Sequence, residues 1–191
     1  MKRLGWLAVW AGVLFLLGGA AAWGAGAAPQ VGGKLPDFSL TVPKEAADRT
    51  YLGLAGSGSF KVPQIKAQAV LIEIFSMYCP YCQKEAPNLN QLYERIEGDP
   101  ALRGKIKLIG IGAGNSAFEV GVFKKKYGIA FPLFPDPDFA VYDLFGELRT
   151  PYFIGLKLLP DGSHQVTSSF LGSFGKVESF LAEIVKNSDV K

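Results

Sequence analysis

The sequence contains very little cysteine and histidine. Among its 191 residues there are two cysteines, Cys79 and Cys82, and one histidine, His164. A four-ligand zinc site needs more nitrogen and sulfur donors than this, so we expect neither a metal nor another cofactor. A disulfide closing a two-residue gap removes little entropy from the unfolded chain, so the pair is not a structural staple. The chemistry of the pair is the better explanation for its presence.

Excess charge of one sign is also missing. Twenty basic residues face 17 acidic ones, which gives a net charge of +3, and Lys2 and Arg3 supply two of these charges. The densest basic run, Lys124 to Lys126, is typical of a solvated helix face. We therefore predict no nucleic-acid partner. The length and the 49% hydrophobic content fit one domain with a real core and a targeting segment.

The N-terminus has the pattern of a secretory signal. Lys2 and Arg3 precede an apolar stretch from Leu4 to Leu17, and Ala25-Gly26-Ala27 offers small residues for cleavage. We predict a signal peptide at residues 1–27 and an exported domain at residues 31–187. The predicted location is the periplasm or the outer face of the cytoplasmic membrane, where disulfides persist.

An uncleaved anchor is the alternative for this leader. The low-charge stretch from Leu4 to Ala28 is long enough to span a bilayer. Its second half is alanine and glycine with one tryptophan, which favours cleavage. Membrane contact is expected only through this segment, and only if it is retained.

The hydrophobic pattern predicts an α/β fold. A continuous apolar run at residues 69–75, interrupted by Glu73, indicates a strand buried on both faces. The later elements give a mixed central sheet flanked by helices. They are a helix over 79–96, a strand over 106–111, a helix over 116–128 opened by a Ser116/Glu119 capping box, strands over 152–159 and 165–170, and a closing helix around 177–185.

Several shorter segments are predicted from turn residues. Residues 31–62 are expected to form short strands and an N-terminal hairpin, with a loop at 56–59. Residues 131–137 are expected to be turns, followed by a short helix over 138–145 capped by Asp138. His164 is expected in an exposed hairpin turn. Gly110, Gly112 and Gly114 only faintly match a dinucleotide-binding loop, and a tight strand–helix turn explains them better.

The Cys79-Pro80-Tyr81-Cys82 motif lies where the first core strand gives way to a helix. Unpaired N–H groups and the helix dipole stabilise a thiolate on the first cysteine. This thiolate can attack a disulfide, and Cys82, one turn later, can then attack the mixed disulfide. Pro80 suits the first helical turn, where its missing N–H costs nothing.

Two stretches carry a resemblance to a known family. FSMYCPYCQKEAPNL and FPLFPDPDFAVYDLFGELRTPYFIGL resemble the thioredoxin superfamily, in particular its exported TlpA/ResA-like branch, which is related to the AhpC/TSA antioxidant group. The resemblance covers Val31 to Val185. It implies a thioredoxin-like fold with an inserted strand–helix unit, and a redox-active Cys79/Cys82 pair that cycles between dithiol and disulfide.

The resemblance also implies a substrate site beside the cysteines. Thr150-Pro151 matches the cis-proline of the superfamily, which faces the cysteine pair and exposes the Thr150 backbone to an extended substrate segment. Tyr78 replaces the usual tryptophan before the first cysteine and keeps an aromatic wall there. With Tyr78, the motif residues Pro80 and Tyr81 are expected to contact substrate. Without the resemblance, Pro151 is only a proline at a strand start.

Two acids are candidates for proton transfer. Glu73 lies six positions before Cys79, where many thioredoxins carry a buried acid, and burial should raise its pKa and suit it to exchange a proton with Cys82. A solvent-facing or lysine-paired Glu73 is the alternative. Glu85, six positions after Cys79, matches an acid that ResA-like reductases place near the motif, and an exposed helix position remains equally open for it.

The expected function is thiol–disulfide exchange with protein substrates, as a reductant supplied by a membrane electron donor, by analogy with the reductases of cytochrome c maturation. Two alternatives stay open. A thiol peroxidase needs a threonine three residues before the reactive cysteine, where this chain has Ser76. A copper carrier of the Sco type needs a distant histidine ahead of the hairpin, whereas His164 is expected within it.

Overall fold

The computed structural model describes residues 27–191. Along most of these residues, strands alternate with helices. The strands are β1 (Leu40–Thr41), β2 (Ser59–Phe60), β3 (Ala69–Phe75), β4 (Ile106–Ala113), β5 (Leu133–Asp136), β6 (Tyr152–Leu158) and β7 (His164–Leu171). The helices are α1 (Ala46–Leu52), α2 (Pro80–Gly98), α3 (Ala117–Tyr127), α4 (Ala140–Leu144) and α5 (Val177–Asn187).

Five strands form one sheet in the order β5-β4-β3-β6-β7. Strand β3 is central; it runs parallel to β4 and antiparallel to β6, and β1 pairs with β2 in a separate two-stranded sheet. The predicted mixed sheet with flanking helices is confirmed. The carboxyl end of β3 therefore meets the start of β6, since Ile74 is paired with Tyr152. This juxtaposition brings the cysteine motif and Pro151 to the same edge.

Alternate residues of β3 enter two separate cores. Val70, Ile72 and Ile74 pack with α1 and α4 on one face. Ala69, Leu71 and Phe75 pack on the other face with buried side chains of α2, α3 and α5. Because side chains alternate along a strand, Glu73 belongs to the second face, the one that carries Cys82.

Helix α1 was missed by the sequence patterns. Residues 46–52 form a helix inside the region that was expected to contain strands and turns. Only Leu52 of this helix is buried, and Glu45 before it makes no side-chain cap. A seven-residue helix with one buried side chain has no apolar periodicity to detect.

The prediction of turns over residues 131–137 is wrong for residues 133–136. These residues form β5, an edge strand paired with β4, and an edge position tolerates prolines. The predicted cap by Asp138 is wrong. The Asp136 carboxylate accepts the N–H groups of Val141 at 3.2 Å and Tyr142 at 3.0 Å, because Phe139 has φ 58° and turns the chain back before α4 begins.

The prediction for His164 is also wrong. It is the first residue of β7 and is half-buried, and its Nε2 accepts the N–H of Leu35 at 2.8 Å. The N-terminal segment covers this strand end, a contact between residues far apart in sequence that no local pattern reveals. Burial, and then the charge of Lys34, lowers the pKa of His164.

The predicted signal peptide or anchor lies outside the described residues, apart from Ala27 and Ala28. Among residues 27–191, no helix combines the length and the apolar character that crossing a bilayer requires.

Candidate active site

The cysteine motif lies at the junction between β3 and α2. Cys79 is the N-cap of α2 with extended backbone (φ −80°, ψ 114°), and Pro80 occupies the first helical turn. The Cys79 side chain therefore lies next to helix N–H groups that have no partner in the helix. Cys82, one turn further on, points into the core. Both cysteines are free thiols, so the structure is the dithiol form.

The two thiols have opposite environments. Cys79 is partly exposed and Cys82 is fully buried. Partial burial alone would raise the pKa of Cys79, but hydrogen bonds from the Thr150 side chain and from the Cys82 and Tyr81 backbone outweigh it, so this pKa is lowered. Burial, followed by the charge of Glu73, raises the pKa of Cys82. At neutral pH the first thiol is therefore the more readily ionised of the two.

Thr150 and Pro151 lie directly beside the reactive thiol. Their peptide bond is cis, as the resemblance implied, and Cys79 Sγ donates a hydrogen bond to the Thr150 carbonyl oxygen at 3.3 Å. That bond favours the thiol, whereas the Thr150 side chain favours the thiolate. The substrate backbone expected at Thr150 would thus pass within contact of Cys79.

Glu73 is buried, with 1% of its surface exposed, and neither carboxylate oxygen has a hydrogen-bond partner. Burial, then the charges of Glu85 and Cys79, raises its pKa to about 8. The solvent-facing and lysine-paired alternatives are therefore excluded by the geometry. With its pKa raised to about 8 beside Cys82, Glu73 in its ionised form is able to accept a proton.

Glu85 is buried as well, so the exposed alternative does not hold. Its Oε1 accepts the N–H of Phe174 at 3.4 Å. The ring of Phe174 contacts Phe153, and Phe153 is paired with Glu73 across β6 and β3. Glu85 and Glu73 thus belong to one buried cluster, and the charge of Glu85 disfavours ionisation of Glu73.

Tyr78 directly precedes Cys79 and Tyr81 follows it by two residues, and both are exposed, at 65% and 72% of their surface. The Tyr78 hydroxyl donates a hydrogen bond to Glu119, which also accepts the N–H of Ser116 at 2.7 Å within the predicted capping box of α3. The hydrogen bond to Glu119 raises the pKa of Tyr78. The aromatic wall is thereby anchored to a second helix.

Sequence reasoning missed Asn115 as a site residue. Its side chain is fully buried, its Oδ1 accepts the N–H of Met77 at 2.8 Å, and its Nδ2 lies 3.5 Å from Ser76 Oγ. Asn115 therefore holds the loop that leads into Cys79. The only local signal is its position directly after Gly114, in the turn that follows β4 at this edge of the sheet.

No potential metal site was found among the described residues: at no point do three or more His, Cys, Asp or Glu side chains lie close enough to share an ion. His164 pairs with Leu158 at the end of β6 that lies away from the cysteines. Tyr152, at the other end of β6, pairs with Ile74 close to the cysteine motif. Six residues of strand, about 20 Å, separate the histidine from the cysteines.

The unequal thiols predict unequal alkylation. Iodoacetamide at pH 7 is expected to modify Cys79 at least about tenfold faster than Cys82, because Cys79 is more exposed and more ionised. Peptide mass spectrometry of quenched time points measures both rates. Denatured protein is the control, in which the two rates should converge. Equal rates in the native protein would contradict the assignment.

Comparisons with known proteins agree with this arrangement. A sequence model of the AhpC/TSA family matches residues 31–178. The thiol-disulfide oxidoreductase ResA of Halalkalibacterium halodurans is 27% identical over 115 residues, which cover 60% of this chain and 62% of that protein. The protein of the same name from Bacillus thuringiensis is 24% identical over 147 residues, which cover 76% of this chain and 79% of the length of that protein. The first match thus spans less than two thirds of the relative's length.

The fold has solved counterparts. The thioredoxin domain of a thiol-disulfide oxidoreductase from Bacteroides vulgatus superimposes with a TM-score of 0.55 at 16% identity, covering 80% of this chain and 98% of that one. At this identity the likeness establishes the thioredoxin-like fold.

Proposed function

Because this chain belongs to the AhpC/TSA family, and because its two cysteines differ so strongly in exposure and acidity, we propose that it is a thiol–disulfide oxidoreductase acting on protein substrates. The observation that carries the proposal is this pairing of an accessible Cys79 with a lowered pKa and a buried Cys82 with a raised one. The name shared by the two ResA relatives supports it.

In the proposed reaction the dithiol reduces a substrate disulfide. The Cys79 thiolate attacks one substrate sulfur, a mixed disulfide forms, and the other substrate sulfur leaves as a thiolate. Cys82 then gives up its proton to Glu73 and attacks Cys79 Sγ, which releases the second substrate thiol. Two electrons pass to the substrate, and a Cys79–Cys82 disulfide remains. Thr150, Pro151, Tyr78, Pro80 and Tyr81 would hold the substrate segment, and Glu85 would tune Glu73.

We further propose that the protein works as a reductant in the cell envelope, of the type used in cytochrome c maturation. The leader predicted at residues 1–27, followed by an exported domain at 31–187, supports this location. A membrane electron donor would return the disulfide to the dithiol. The direction is proposed by analogy with the ResA relatives.

Catalysed reduction of insulin by dithiothreitol, followed by turbidity, tests the proposed activity. The wild-type protein is expected to accelerate it, and redox titration against glutathione or dithiothreitol should show one two-electron couple. A potential near −120 mV, the range of strong oxidants, would overturn the reductant direction. Absence of any acceleration would overturn the oxidoreductase proposal.

The same preparation tests the alternatives. Peroxide consumption without disulfide turnover would favour a peroxidase, the activity suggested by the antioxidant group. A copper carrier is disfavoured, because His164 lies at the opposite end of β6 from the cysteines.

A further inference from the structure

A groove of about 590 Å³ begins at the Thr150–Pro151 peptide bond and extends away from Cys79 between α2 and the end of β7. We call it the Pro151 groove. Its lining combines the expected substrate-pairing residues with residues that the reaction itself does not use. The latter are Lys84, Asn88, Arg149, Leu171, Gly172 and Ser173.

The accessible charges of this groove are all positive. Lys84 and Arg149 are exposed, and neither forms a salt bridge with any residue in the range 27–191. The one acid of the lining, Glu85, is buried and accepts the Phe174 N–H. Glu119, which accepts hydrogen bonds from Tyr78 and Ser116, does not line the groove. The exposed charges of the groove lining itself are therefore the two cations.

Both cations lie within reach of residues next to a substrate cysteine. Arg149 directly precedes Thr150, whose carbonyl oxygen is 3.3 Å from Cys79 Sγ. Lys84 is five residues after Cys79 in α2, about 7.5 Å along the helix axis. An extended chain advances about 3.3 Å per residue, so side chains one to four positions from a bound cysteine would reach the groove.

We propose that the Pro151 groove selects protein disulfides whose reactive cysteine is followed or preceded within four residues by acidic side chains, which Lys84 and Arg149 bind. The inference rests on the proposed function and names its substrate class. Opposite charges at a rim mainly raise the association rate and exclude partners of the wrong charge. The preference is therefore expected in kcat/KM, and it should shrink as salt screens the charges.

Two peptide disulfides test this selection. They are symmetric dimers that differ only in having two glutamates or two lysines after the cysteine. For the wild-type protein we expect kcat/KM to be about tenfold higher for the glutamate peptide at low salt, with the ratio approaching one at 0.5 M NaCl. In the double variant Lys84→Glu, Arg149→Glu the ratio should invert.

The double variant Lys125→Glu, Lys126→Glu is the matched control, because it reverses two positive charges as the groove variant does. Lys125 and Lys126 are exposed in the last turn of α3, away from the groove, so reversing their charges should leave the ratio unchanged. A wild-type ratio near one, or a ratio that the double variant does not alter, would overturn the proposal. So would an equal loss of preference in the Lys125→Glu, Lys126→Glu protein, which would indicate an effect of net charge.

Failure of the charge selection is distinguishable from failure of the proposed function. Wild-type turnover of the neutral 2-hydroxyethyl disulfide reports redox activity without any charge recognition. If no disulfide is turned over, fluorescence anisotropy with the same peptides carrying serine for cysteine still measures binding. Tighter binding of the glutamate peptide, reversed in the double variant, supports the groove assignment; equal binding refutes it.

Discussion

Replacing Cys79 by serine is expected to abolish disulfide reduction, by about 10³-fold or more, whereas Cys82→Ser is expected to stop the reaction at a mixed disulfide. A serine hydroxyl is not ionised near neutral pH, so the first variant has no nucleophile. The second variant keeps the accessible Cys79 with its lowered pKa but has no group able to attack it. Insulin turnover and non-reducing mass spectrometry measure the two outcomes.

The two variants control for each other because both substitutions are nearly isosteric. Serine is a favourable N-cap residue, so Cys79→Ser should not weaken α2, which begins at Pro80. Thermal unfolding of the reduced proteins should show this. Accumulation of the mixed disulfide in Cys79→Ser instead of Cys82→Ser would reverse the assigned roles. Full activity in Cys79→Ser would refute the mechanism.

The parts of this site that sequence predicted are those with local signals. Three patterns within short stretches of sequence predict their elements directly. They are the buried apolar run of β3, the proline after Cys79 at the start of α2, and the Ser116/Glu119 capping box of α3. The position of Pro151 came from the family resemblance, because the pairing of β3 with β6 that sets Ile74 opposite Tyr152 joins segments far apart in sequence. Hydrophobic patterning alone does not specify that register.

The parts that sequence missed depend on contacts between distant segments. Asn115 holds Met77 across 38 residues, and Tyr78 meets Glu119 across 41. Asp136 caps α4 only because Phe139 turns the chain. Burial of Glu85 depends on the Phe174 segment folding over α2. Such side chains carry no periodic or composition signal before the fold is known.

Glu73 should make the protein less stable as the pH rises. Its pKa is raised to about 8 in the folded protein from 4.5, so between these values the unfolded chain ionises while the folded one stays protonated. Stability from this group is therefore greatest below about pH 4.5 and is lost progressively up to about pH 8. The total loss is on the order of 5 kcal/mol.

The variant Glu73→Gln removes this titration. Glutamine has the shape of the protonated acid, so at pH 9 we expect its unfolding free energy to exceed that of the wild type by on the order of 5 kcal/mol, with a far smaller difference at pH 5. Denaturant unfolding at both pH values measures this. Glu97→Gln is the matched control: Glu97 pairs with buried Lys107 at 3.4 Å, so its loss should destabilise the protein.

The same substitution should slow catalysis while it stabilises the fold. Without a carboxylate to accept the Cys82 proton, release of the mixed disulfide is expected to be about 100-fold slower at pH 7. Acid-quenched single turnovers analysed by mass spectrometry give the lifetime of that intermediate. In the wild type the release rate should rise with pH through about 8, the pKa of Glu73, and the variant should lack this inflection.

These two readouts separate a proton acceptor from a merely structural acid. A structural Glu73 would give a variant that is destabilised equally at pH 5 and pH 9, with an unaltered pH profile for release. Because neither of its oxygens has a hydrogen-bond partner, Glu73 has no structural bond to lose. Glu73 lowers the stability of the folded protein as the pH rises, and its function beside Cys82 explains why it is present. Cys82 must give up a proton before it can attack, and Glu73 is able to accept that proton.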